Sequence, residues 1–142
     1  MTEERFHYPW SDAWLLLSVI YAGKNSGASL RNIISAGDYI NHAIFTLEEL
    51  SGGLSRLVAG GFIREDNGAF AATNKTMQAY QSTTTPRRTA LKEVGDMEML
   101  LKAQACETTK CFADTDKDPS HHGLGKESYE KAVEAYINDE AS

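Results

Sequence analysis

The chain has 142 residues, 42% of them hydrophobic and 24% charged, which fits one globular domain able to bury a core without metal or disulfide staples. Its formal net charge is −6, and residues 1–82 hold six basic against eight acidic side chains while residues 83–142 hold eight against twelve. Neither part has the bulk basic excess expected of a protein that neutralises many phosphates.

The longest apolar run, Ala13 to Ile20 broken by Ser18, is well short of the roughly 20 residues of a membrane-spanning helix. The acidic start Met1-Thr-Glu-Glu-Arg-Phe6 is unlike a secretory signal, so a cytoplasmic location and no membrane partner are expected. Cys106 and Cys111 could close only a small loop, and free thiols are the expectation in a reducing compartment.

In chain order, an aromatic arm (Phe6, Tyr8, Trp10) precedes a helix capped by Ser11 or Asp12 and running to about Ala22. It is apolar nearly all round, as suits a helix buried on several sides. A Gly23–Gly27 loop follows, and Ser29 caps a second helix with Leu30, Ile33, Ile34, Gly37 and Ile40 at helical spacing. That helix either continues to about Ala43 or breaks at Gly37-Asp38. Thr46 and Glu49 have the spacing of a capping box, and Leu47, Leu50, Leu54, Leu57 and Val58 form one apolar stripe behind it.

Gly60 or Gly61 supplies the left-handed turn that ends this third helix. Phe62–Glu65 and Ala69–Ala72 flank Asp66-Asn67-Gly68, a hairpin signal because Asn-Gly tolerates positive φ. Thr73 or Asn74 caps a helix through Met77 and Tyr80. Gln81–Pro86 reads as a linker, and Thr85-Pro86 opens a helix lined by Leu91, Val94, Met97, Leu101 and Ala105. A polar loop from about Glu107 to Gly125 precedes a last helix, Glu127 to Ile137, with Tyr129, Ala132, Val133, Tyr136 and Ile137 on one side.

Three helices, the passage Leu54-Ser-Arg-Leu-Val-Ala-Gly-Gly-Phe-Ile63 and a hairpin ending in Ala72-Thr-Asn-Lys-Thr76 resemble the winged helix-turn-helix superfamily of bacterial regulators over about residues 11–82. The resemblance implies a mainly α fold: a winged-helix domain over 1–82 and a C-terminal helical extension over 83–142, packed on it or forming a dimer interface. It also implies a homodimeric, DNA-binding transcriptional regulator that inserts helix 46–59 in a major groove. The expected DNA contacts are Ser51, Ser55, Arg56, Arg64, Asn67 and Lys75, with Arg31 and the Arg87-Arg88 pair as further cations.

The chain departs from that pattern in charge. The outward positions of the third helix read as Glu48, Glu49, Ser51, Gly52, Ser55, Arg56 and Ala59, with one base among them, and Arg64 lies beside Glu65 and Asp66. Carboxylates at a helix N-terminus favour the dipole but repel phosphate. The alternative is therefore an acidic winged-helix module that binds a basic protein and no DNA. Gly52-Gly53 costs the helix about 1 kcal/mol per glycine relative to alanine, which points to close approach by a neighbouring helix or a partner.

Other constellations fall short of a site. Cys106, Cys111, His121 and His122 are zinc-ligand types without a standard zinc spacing. Asp114-x-Asp116-x-Asp118 begins like a calcium loop but has Pro119 and Gly125 where glycine and glutamate belong. His7 and His42 have no nucleophile beside them in the pattern, so no catalytic residue, metal or cofactor is expected.

Overall fold

A computed structural model describes residues 8–23, 27–83, 89–103 and 125–141. Among them are six helices and one two-stranded antiparallel sheet, so the chain is mainly α. The elements run α1 (Trp10–Gly23), α2 (Leu30–Asn41), α3 (Leu47–Ala59), β1 (Ile63–Asp66), β2 (Ala69–Ala72), α4 (Asn74–Thr83), α5 (Ala90–Ala103) and α6 (Lys126–Ala141). The helix start at Thr85-Pro86, the Arg87-Arg88 pair, Phe6 and His7, and the cysteine, histidine and aspartate groups of 104–124 lie outside the described residues.

α1 is the central post. Asp12 through Ile20 are all buried, because α2, α3, α5 and β2 pack around it. The expected cap at Ser11 or Asp12 does not form: the helix already starts at Trp10, and Asp12 lies inside it with no exposed surface. α2 runs unbroken through Gly37, with Ser29 Oγ accepting from Asn32 N–H at 3.2 Å. Gly37 is required there because the Phe45 ring occupies the space of a Cβ. That ring stacks on Trp14 with centroids 3.7 Å apart, and Trp14 Nε1 donates to the Gly37 carbonyl at 2.9 Å. One aromatic pair thus fastens α1, α2 and the turn into α3.

α3 begins with the expected capping box. Glu49 N–H donates to Thr46 Oγ1 at 3.1 Å, and Thr46 N–H donates to Glu49 Oε1 at 2.9 Å. It ends in a Schellman arrangement, Gly61 N–H on the Val58 carbonyl and Phe62 N–H on that of Leu57, with Gly61 at φ 80°. β1 and β2 then pair from Ile63↔Ala72 to Asp66↔Ala69 around Asn67-Gly68, both at positive φ. Ala28, in the α1–α2 connection, makes two backbone hydrogen bonds with Phe70 of β2 at 2.7 and 2.9 Å.

The C-terminal helices pack on the same core. Val94, Met97 and Leu101 of α5 are buried, but Leu91, expected with them, is 58% exposed. α6 lies on α2, where Tyr129 donates to the Phe45 carbonyl at 2.6 Å and Tyr136 donates to Asp38 Oδ2. Ile137, also expected inward, is half exposed. No helix among the described residues is long and apolar enough to cross a membrane.

Candidate functional site

α3 and the hairpin carry the residues expected to meet a ligand, and the helix presents few of them. Its outer positions Ser51, Gly52 and Ser55 are buried. The apolar stripe reports one covered side of a helix and is silent about a second, which is why these positions read as outward. The reason for the second is the glycine pair. A Cβ on Gly53 would meet Leu15 Cδ2 at 2.6 Å and Asp12 Oδ1 at 2.9 Å, and one on Gly52 would meet the Arg56 guanidinium at 3.1 Å. The glycines therefore let α1 and the Arg56 head press against the α3 backbone.

Arg56 is held by a fork. Its Nε donates to Asp12 Oδ2 at 2.7 Å and its Nη2 to Asp12 Oδ1 at 3.0 Å, with the two side chains 13% and 0% exposed. This bidentate geometry is the one a guanidinium would need for a guanine edge or a phosphate, and here it is taken up by a carboxylate 44 residues away. Tyr8 borders the pair: burial first, then the Asp12 charge, push its hydroxyl well above the ordinary range, with Arg56 opposing. Asp12 is the partner of Arg56 that sequence reasoning missed. Its signal was a carboxylate at the head of an all-apolar helix, needing a cation that only tertiary packing could supply.

The other expected contacts are spread out. Arg64 and Asn67 are exposed on the hairpin, Asn67 at the turn with φ 54°, among exposed Glu65 and Asp66. Lys75 is exposed on α4 but returns its Nζ to the Gly60 carbonyl at 3.1 Å and lies 4.4 Å from the centre of the Phe62 ring. Ser55 Oγ is buried without a hydrogen-bond partner. Glu48 is the exposed charged side chain of α3 itself.

A second polar cluster sits where α5 meets α1 and α4. Glu93 is 4% exposed and accepts from Tyr21, and from Tyr80 at 3.3 Å on both oxygens. Burial and the bond to Glu93 raise the Tyr21 hydroxyl above its usual pKa. Beside it an open cleft of about 400 Å³ is lined by Tyr21, Ala22, Asn32, Ser35, Ala36 and Tyr39, none of them charged. Among the described residues no three His, Cys, Asp or Glu side chains are grouped to hold a metal ion. Comparison with protein-family models, with curated proteins and with solved structures finds no match to this chain.

Proposed function

We propose that residues 11–82 form a winged-helix unit that works through contacts with a basic protein partner, in preference to reading base edges. The winged-helix part of this reading is supported by the order of three helices and a hairpin, and by the Ala28–Phe70 bridge, which adds a one-residue third strand between α1 and α2. The function rests on one observation, the Arg56 guanidinium locked on buried Asp12. With Ser51 and Ser55 also buried, the face of α3 that would enter a groove offers exposed Glu48 and Ala59. A carboxylate there repels phosphate and attracts Lys or Arg.

DNA binding as a transcriptional regulator is the second reading. It is favoured by exposed Arg64 and Asn67 on the hairpin, where a wing would touch the backbone of a duplex. A titration of a random duplex at low salt separates the two. The protein-contact reading expects no saturable shift, together with binding of a lysine-rich peptide that weakens in Glu48→Lys. A salt-dependent duplex complex that Arg64→Ala weakens would reverse the preference.

A further inference from the structure

We propose that the cleft between α1 and α2 binds a small, flat, uncharged heterocycle carrying a hydrogen-bond donor beside an acceptor, the edge chemistry of a free nucleobase. This goes beyond the proposed function and holds whichever partner the α3 side engages. α2 meets the core through Ile33, Ile34, Gly37 and Ile40, and a second side of the same helix faces the cleft. Asn32, Ser35, Ala36 and Tyr39 stand there at i, i+3, i+4 and i+7, so all four share one face. Ser35, Ala36 and, from α1, Ala22 are small, which is why a hollow of about 400 Å³ opens beside the larger Tyr21 and Tyr39. Small-molecule sites span roughly 300–1,000 Å³, and this hollow lies within that range.

The tyrosines supply the stacking surface. Their ring centroids are 6.3 Å apart and the planes meet at 49°, a corner that accepts a flat ring on one face and its edge on the other. Tyr21 is set in place beforehand, because its hydroxyl donates to buried Glu93. Tyr39 is 72% exposed, the least covered large hydrophobic side chain among the described residues. Asn32 supplies the polar recognition. Its carboxamide has no hydrogen-bond partner among the described residues, and it offers a donor and an acceptor side by side, as a nucleobase edge requires. The Ser35 hydroxyl, one turn on, is likewise without a partner among them. Charge narrows the class. None of the six lining side chains is charged and the chain carries a net −6, so a phosphate or carboxylate on the ligand gains nothing here. The free base is therefore preferred to its nucleotide.

Adenine titrated into the isotopically labelled full chain, followed by amide NMR shifts, is the test. Saturable binding with a dissociation constant of about 0.1–1 mM is expected for a ligand of this size, with the shifts centred on α1 and α2. Adenosine monophosphate should bind at least about tenfold more weakly, and so should indole, which has a donor and no acceptor. Tyr39→Ala, at an exposed position, should weaken adenine binding about tenfold, and Asn32→Leu about fivefold. Ala36→Leu fills the floor and should abolish binding while circular dichroism stays that of the parent. The absence of a saturable shift up to about 5 mM adenine overturns the proposal. So does binding that Tyr39→Ala and Ala36→Leu leave unchanged, or equal affinity for adenosine monophosphate or for indole.

Discussion

Arg56 and Asp12 show how one pairing redirects a residue. A cation on the exposed side of an amphipathic helix reads as a ligand contact, but a carboxylate with 0% exposure had to be compensated, and Arg56 was the base within reach. Arg56→Ala should therefore cost about 3–5 kcal/mol in urea unfolding, since it leaves Asp12 charged and buried. A loss below about 1 kcal/mol would mean that the pair does not carry its weight in the core. Two glycines make a matched contrast. Gly53→Ala, which presses on Leu15 and Asp12, should destabilise by about 1–3 kcal/mol. Gly95→Ala, with open space around it, should stabilise the fold by about 1 kcal/mol.

At the scale of elements, the parts that were readable in the sequence are those encoded within a few residues. Thr46 and Glu49 cap α3, Ser29 caps α2, and Asn67-Gly68 turns the hairpin, because each signal depends on neighbours three or fewer positions away. Thr46→Ala should lower stability by about 1 kcal/mol, read by thermal unfolding, as one free donor at the head of α3 loses its acceptor. What escaped sequence reading depends on distant segments. The burial of Ser51 and Ser55 follows from α1 lying against Gly53 and the Arg56 head against Gly52, and the exposure of Leu91 from which side of α5 meets that same α1. Periodicity identifies that a helix has an inner side; it does not count how many neighbours cover it.

For the molecule as a whole, tyrosines bind remote parts together through neutral hydroxyls. Tyr8 lies at the α1–α3 ion pair, Tyr21 joins α1 to α5, and Tyr129 joins α6 to the turn before α3. Burial raises all three above the ordinary value of 10.0. A raised folded pKa means that the native chain keeps protons the unfolded chain has released, so this contribution is complete below pH 10 and declines as pH climbs beyond it. The urea midpoint should hold steady from about pH 8 to 10 and then fall, with a shallower fall in Tyr21→Phe. A midpoint that rises across that alkaline range would contradict the burial of these hydroxyls.

The Ala28–Phe70 bridge ties the hairpin to the chain just ahead of α2. The two hydrogen bonds join Phe70, two residues past the Asn67-Gly68 turn, to the residue just before Ser29, so whatever lifts the tip at Asn67 also pulls on the start of the second helix. Amide deuteration at Ala28 and Phe70 should accordingly speed up or slow down in step, even when a perturbation is applied only at the far end of the turn.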